Sequence, residues 1–571
     1  MSQRRSPTTT FCLLLAGLLI ARYATPLASC AKVTDVPPIS LVTKSQWNAL
    51  NDQVGGRLIQ GIPFSKPCFP PISNQTACSE IQQHYVDGTI RYHFPGSLTN
   101  TEWETCMTTG DQCLLDATNT TNTAPTQLPC KQGSVSPYYI DILQASDVVA
   151  AFKFSKKTKV PIVIHNTGHD HKGRSSAPNS LGLWTHNLNT MEYRKSFRPD
   201  GCQGSSSGPA VTLGAGVQWG EVYLFADSNN ITLVGGSDKG VGAVGGWLQG
   251  GGHSPLSNVF GLGVDRVMEF QDLFFALRGG GGGTFGVVLK ATILAAPPVT
   301  LQATFIFWEQ TTAEITEEFF SLLINNSLKL ANSGYGYTAA PILGLFATPT
   351  LNASAHAEAM QPFTTFAEKL KANNVTGVSS VTITLPSWLA FFETFLLKLA
   401  ASNGIPSTIG SRLVPQSLFH TEESKAKLLD ALLEGASVNT TDYIVFGTTP
   451  FSFKADGQTS VTESWRDSVW HVATEVTWNW DTTLDEKKDA FLKASQSVAK
   501  LRTITPDAAY QNEADVYEPN HTVSFWGSHY HQLLKIKQKY DPDHLLDCWH
   551  CIGWQPNSSR FKCYIPTSSN N

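Results

Sequence analysis

The stretch Val160–Trp184, VPIVIHNTGHDHKGRSSAPNSLGLW, constrains the chain more than any other. It opens on apolar, β-branched Val160–Ile164 behind a lysine cluster, the pattern of a buried strand. The strand runs into a loop holding Gly168, Gly173, Ser175, Ser176 and Pro178. A glycine-rich loop at a strand end leaves backbone N–H groups pointing outward, which suits an anionic ligand. His169 directly follows Gly168, so the stretch reads as a cofactor loop carrying a reactive histidine. Two plainer readings compete. His165, His169 and His171 have metal-ligand spacings, but only Asp170 keeps them company and zinc sites usually add thiols or carboxylates. The histidines are otherwise satisfied polar groups of a structural turn.

At 571 residues the chain is too long for one core, so two or more domains are expected. Net charge is -5, and no basic patch with interleaved aromatics occurs, which argues against nucleic acid or an anionic membrane as partner. Arg4 and Arg5, the apolar run Phe11–Ala21, and small Ser29 and Ala31 read as a secretory signal. That run is too short to span a bilayer, and no later one is long enough, so no membrane anchor is expected. Beyond Cys12, five cysteines lie between Cys68 and Cys130 and three cluster at Cys548, Cys551 and Cys563, while Cys30 and Cys202 stand alone. With a signal peptide this suggests disulfides, of unspecified pairing. Asn74, Asn119, Asn230, Asn325, Asn352, Asn374, Asn439, Asn520 and Asn557 each head an N-x-S/T triplet, favouring a secreted glycoprotein.

Along the chain, Ser45–Ile59 suggests a short helix ending at Gly55, and Tyr138–Leu143 a strand. Ser146 is a candidate cap for a helix over Asp147–Lys157, with an acid in its first turn and lysines in its last. Val211–Leu213 and Ile231–Val234 read as strands around a helix starting at Trp219. Gly240, Gly242 and Gly245 fit G-x-G-x-x-G, with Asp265 twenty residues further on. The dinucleotide fingerprint needs a helix there, and Gly245, Gly246, Gly250, Gly251 and Gly252 oppose one at roughly 1 kcal/mol each. A backbone lying flat against a planar or diphosphate ligand fits better. The third glycine run, Arg278–Val288, lacks the Gly-Lys-Ser/Thr of a P-loop. Three such loops imply one extended ligand.

The segments NTGHDHKGRSSAPNSLGLWTHNL, GAGVQWGEVY, GGWLQGGGHSPLSNVFGLGVD and DLFFALRGGGGGTFGVV, with YQNEAD and SFWGSHYHQLLKIKQKYDPDHLL near the end, resemble the berberine bridge enzyme-like flavin oxidases. That group belongs to the vanillyl alcohol oxidase and p-cresol methylhydroxylase (PCMH) superfamily. The resemblance is closest to secreted fungal members, including isoamyl alcohol oxidases. It implies an α+β fold: a PCMH-type FAD-binding domain of two α/β subdomains, and a substrate domain with an antiparallel sheet backed by helices. The implied divisions are a signal peptide over 1–31, a cysteine-containing region over 32–135 and FAD binding over 136–298. The substrate domain takes 299–502, and 503–571 returns to the FAD domain.

Carried over by position, His169 matches the histidine joined covalently to the flavin. Asn166, Thr167, Gly168, Asp170, Gly173 and Ser175 fall in the loop around the FAD diphosphate. Gly245, Gly246, Gly250, Gly251, Gly252 and His253 fall in the second FAD loop, and Gly286 and Val287 at the pyrimidine side. The second, cysteinyl link of many relatives has no counterpart in SDKGVG, so FAD attached through His169 alone is implied. Tyr510 and Asn512 match the family's Y-x-N, as proton-handling and orienting residues. No metal site is expected.

The implied reaction oxidises a hydroxyl-bearing small molecule, an alcohol, sugar or secondary-metabolite intermediate, with FAD taking the hydride and O2 reduced to H2O2. One departure stands out. Relatives usually carry a hairpin of roughly fifteen to twenty residues where VMEFQ here meets DLFFALRGG. Its loss removes two strands beside the flavin, so a flavin-binding but catalytically impaired protein is the alternative. CWHC, Cys548–Cys551, lacks the strand and helix of a thioredoxin motif and reads as a structural disulfide.

Overall fold

The computed structural model describes residues 39–71, 74–202, 208–270, 273–399 and 403–566. The expected signal peptide lies outside them, as do Gln271 and Asp272, where VMEFQ meets DLFFALRGG.

The first sheet contains β1 (Leu58–Gln60), β2 (Tyr138–Asp141), β3 (Ile162–His165) and β4 (Leu181–Trp184), in the order β1-β2-β4-β3. The last three run parallel and β1 pairs antiparallel to β2. A parallel pair needs a crossover, and the helix Ala145–Thr158 supplies it between β2 and β3. Its Ala151 and Phe154 pack with Trp47, Ile162 and Leu183. The cap is Gln144, two residues ahead of the expected Ser146. The reason is Asp147: its carboxylate accepts from the N–H groups of Leu143 and Gln144 at 3.0 and 3.2 Å and also pairs with Arg57. The helix therefore starts where those two orphan donors are satisfied.

The second sheet is antiparallel: β5 (Met191–Phe197), β6 (Gly208–Gly214), β7 (Val267–Glu269) and β8 (Lys290–Leu294), ordered β5-β6-β8-β7. The helix Trp219–Ser228 buries Trp219, Val222 and Tyr223 in the same core as Val211, Leu213 and Ile293. The strand expected at Ile231–Val234 is reduced to one bridge between Thr232 and Ala296. The second glycine region is short helical turns, Ala243–Trp247 and Leu248–Gly250, broken by non-helical backbone at Gly245. No long helix grows from it, as the glycine count requires.

The third sheet is built wholly from residues 301–477. It comprises β9 (Leu301–Phe307), β10 (Gly336–Ala340), β11 (Leu343–Thr348), β12 (Ser379–Leu385), β13 (Ser407–Pro415), β14 (Asp442–Phe446) and β15 (Ser468–Thr477). Their order is β12-β9-β11-β10-β14-β15-β13, every pair antiparallel. The helices Ala313–Asn332, Ala353–Ala372 and Glu422–Ser437 back it, burying Phe319, Phe320, Phe363 and Leu432 against Trp308, Phe346 and Trp470.

The chain then returns to the first two sheets. In the helix Tyr530–Tyr540, Leu533 is buried and Tyr540 is exposed. Lys537 takes the inner position instead. Its ammonium donates to the carbonyls of Thr284 and Leu546 and to the Asp541 carboxylate, so the charge is fully paired. Disulfides join Cys68 to Cys78, Cys106 to Cys563, Cys113 to Cys130 and Cys548 to Cys551. The last makes the CWHC motif a closed bridge in a loop.

Candidate active site

A cleft of about 1080 Å³, including its mouth, lies between the first two sheets and the returning segment. All three glycine loops line it, as one extended ligand requires. Asn166, Thr167, Gly168, His169, Asp170 and Ser175 come from the loop after β3. Gly245 and Gly246 come from the second loop, Gly286 from the third, and Tyr510 and Asn512 from the return. The other sequence candidates stand outside the lining. Gly173 packs on the Trp103 ring, where a Cβ would lie 2.3 Å away. Gly250 faces Asn512, and Gly251 and Gly252, both with positive φ, turn the chain beneath Tyr510 and Trp247. His253 lies behind the cleft among Thr448, His471 and Glu513. Val287 lines a second cavity of about 920 Å³, including its mouth, which shares Gly286 and Val288 with the first.

The loop after β3 is fastened from within. Gly168, at φ 91°, gives its carbonyl to the N–H and hydroxyl of Thr99. Asp170 spends its carboxylate on the Lys172 N–H at 3.1 Å and on the N–H and hydroxyl of Ser175 at 2.6 and 2.7 Å. Asp170 thus shapes the loop. His169 hydrogen-bonds Tyr92 Oη through Nε2 at 3.1 Å, with Asp238 3.7 Å from the same nitrogen. Burial lowers its proton affinity and Asp238 partly restores it; the Tyr92 contact occupies Nε2, and among the described residues Nδ1 has no hydrogen bond.

At the return, the Tyr510 hydroxyl accepts from Asn512 Nδ2 at 2.7 Å and from the Gly252 N–H at 3.4 Å. The Asn512 amide also donates to the Gly246 carbonyl at 2.9 Å and accepts from Arg174 at 3.1 Å, which fixes its orientation. Burial, reinforced by Glu513, pushes the Tyr510 phenol well above its ordinary range, so it keeps its proton. Burial alone would raise the Glu513 carboxyl, but His253, His471 and His171 outweigh it and hold it down at about 2.

Arg174 and Glu513 line the cleft without being marked by any sequence reading, and His171, read there only for its metal-ligand spacing, lines it too. Each lies inside a segment quoted above. Available signals were a cation in an anion-binding loop and an acid beside Asn512.

The residues fit a flat, partly anionic ligand. A Cβ on Gly246, Gly283 or Gly286 would meet nothing within 4 Å, leaving an open backbone floor. Asn166 Oδ1 and His171 Nδ1 are buried polar atoms without a hydrogen-bond partner, a cost that a ligand would relieve.

Comparison with known proteins agrees with this geometry. Residues 138–273 match the FAD binding domain family, and residues 509–552 the berberine and berberine-like family. FAD-linked oxidoreductase cheF of Chaetomium globosum is 35% identical over 94% of this chain and 91% of its own. FAD-linked oxidoreductase ffsJ of Aspergillus flavipes is 35% identical over 89% and 92%. The VAO-type flavoprotein MtVAO615 of Myceliophthora thermophila C1 superimposes with a TM-score of 0.77 at 28% identity, covering 90% of this chain and 95% of that one. Berberine bridge enzyme of Eschscholzia californica shares the fold, with a TM-score of 0.63 at 14% identity over 89% and 99%.

Proposed function

Because the chain belongs to the FAD-linked oxidoreductases of the vanillyl alcohol oxidase and berberine bridge enzyme family, we propose that it is a secreted oxidase. Its substrate in this reading is a hydroxyl-bearing small molecule, and O2 is the acceptor that yields H2O2. The observation that carries the reading is the joint lining of one cleft by His169, three glycine loops and Tyr510. Bound FAD would supply the two-electron acceptor. The protein's share is positioning and proton handling. His169 Nδ1, left free by the Tyr92 bond, is the atom for a covalent link. Gly245, Gly246 and Gly286 let backbone approach a flat ring, and the loop of Asn166–Ser175 faces the diphosphate. Tyr510 holds its proton and offers it as a hydrogen bond to a substrate oxygen, with Asn512 orienting the phenol.

Secretion is supported by the signal-like first 31 residues, by four disulfides, and by the exposure of all nine sequon asparagines. Among the described residues no helix is long and apolar enough to cross a membrane.

The test is direct. Purified protein should be yellow, keep its colour on acid precipitation, and release peroxide with members of an alcohol and sugar panel. Tyr510→Phe should slow flavin reduction without bleaching. A tryptic peptide containing His169 at its bare mass, from folded yellow protein, excludes the covalent link. The second reading, a flavin binder with impaired turnover, is favoured by the second cavity. It opens beside Gly286 and Val288, next to the shortened junction. Yellow protein without turnover on the panel would select it.

A further inference from the structure

We propose that His253, His471 and Glu513 form a binding site for a divalent zinc-class metal ion, beside Tyr510 and opening toward the cleft through Glu513. One donor atom of each lies within 4.8 Å of the other two. His253 Nε2 is 3.2 Å from Glu513 Oε1, and His471 Nδ1 is 3.8 Å from Glu513 Oε2. Two imidazoles and a carboxylate are a donor set of catalytic zinc, which keeps a fourth position for water or substrate.

Three further observations point the same way. His471 is fully buried on β15, and neither of its ring nitrogens has a hydrogen-bond partner. An unpaired buried polar group costs about 1–3 kcal/mol, and a metal bond removes that cost at one nitrogen. His253 Nδ1 lies 2.8 Å from Thr448 Oγ1. Metal-bound histidines commonly hydrogen-bond through the other ring nitrogen in this way, which fixes the ring and aims the ligating one. The surroundings are also enclosed: Phe446, Trp465 and Tyr510 pack their rings around the two histidines. A tetrahedral zinc has donor–donor edges of about 3.3 Å. The observed spread is wider, so ligation draws the partly exposed Glu513 side chain inward.

Glu513 lines the cleft, whereas the two histidines stand behind it. A metal held there would turn its open position to the cleft and bind an oxygen of the substrate. As a Lewis acid it would lower that oxygen's hold on its proton. This catalytic part rests on the oxidase reading above; the binding itself does not. The site departs from the sequence expectation of no metal. His471 belongs to a strand in which eight of the ten residues are buried, so periodicity does not mark it.

The experiment uses the yellow holoenzyme, treated with chelator, desalted and titrated with Zn2+ alone by calorimetry. One ion per chain is expected, bound at least tenfold more weakly by His471→Ala. Glu513→Gln, nearly isosteric, serves if His471→Ala does not fold, and should weaken binding similarly. Zinc-edge X-ray absorption should report two imidazole nitrogens and at least one oxygen. Wild-type protein that binds no Zn2+, or variants that bind it as tightly as wild type, overturns the site. Peroxide release from such protein would leave the oxidase reading standing. Stoichiometric Zn2+ in protein that never turns over would keep the site and sink that reading.

Discussion

The glycine-lined cleft and the seven-stranded sheet are built on opposite plans. Around the cleft the chain is thin: glycines let backbone, amides and single polar side chains form the walls. In the sheet from β9 to β15, bulk does the work, with Trp308, Phe319, Phe346, Phe363 and Trp470 in one aromatic core. One region is held by backbone geometry and the other by packing. They should therefore fail differently when altered.

The largest effect belongs to the packed region. Trp470→Ala removes a fully buried indole whose Nε1 also donates to Ser327, and should cost about 3–5 kcal/mol in chemical unfolding. A loss below about 1 kcal/mol would deny that the aromatic core carries the sheet. Next comes the bridge between Cys106 and Cys563, separated by 457 residues. Replacing both by serine should cost about 2–5 kcal/mol. The same change at Cys548 and Cys551, three residues apart, should cost less, because the loop it closes is short.

A third prediction concerns pH. Burial raises the Asp547 carboxyl to about 6, although Arg560 and Lys537 oppose the shift. The folded state therefore holds this proton more tightly than the unfolded chain. Its contribution is most favourable below about pH 4, fades as pH rises through 6, and leaves a cost of up to about 3 kcal/mol above that. The stability of wild type relative to Asp547→Asn should fall by that order between pH 4 and 7. A flat difference would mean that Arg560 cancels the burial.

The smallest effect on stability should come from the cleft. A Cβ on Gly250 would lie 2.2 Å from Asn512 Oδ1. Gly250→Ala should cost about 1–3 kcal/mol by overpacking and lower the ratio of flavin to protein absorbance. Unchanged flavin content would show that Asn512 can yield, and that backbone closeness is not what shapes the wall.

The contrast also explains what could be read beforehand. The glycine loops declare themselves because few other reasons place so many glycines where helices and strands should be, and His169 is conspicuous beside Gly168. Apolar β-branched and aromatic residues mark β9 in the sequence, whereas Ser379 and Ser380 at the head of β12 carry no such signal and are strand because β9 pairs with β12 along its whole length. His471 and His253 could not be read as partners. They are 218 residues apart (471 − 253) on different elements and meet only when β15 reaches the return segment. The cap at Gln144 was hidden for a related reason: it depends on where the Asp147 carboxylate turns, and Arg57 helps decide that.

The return of the chain has a consequence for biosynthesis. Tyr510, Asn512 and Glu513 complete the cleft, Lys537 clamps the third glycine loop, and Cys563 ties the end back to Cys106. A growing polypeptide that has not yet reached Tyr510 lacks that wall. A product truncated after Arg502 would therefore leave the vessel open on one side.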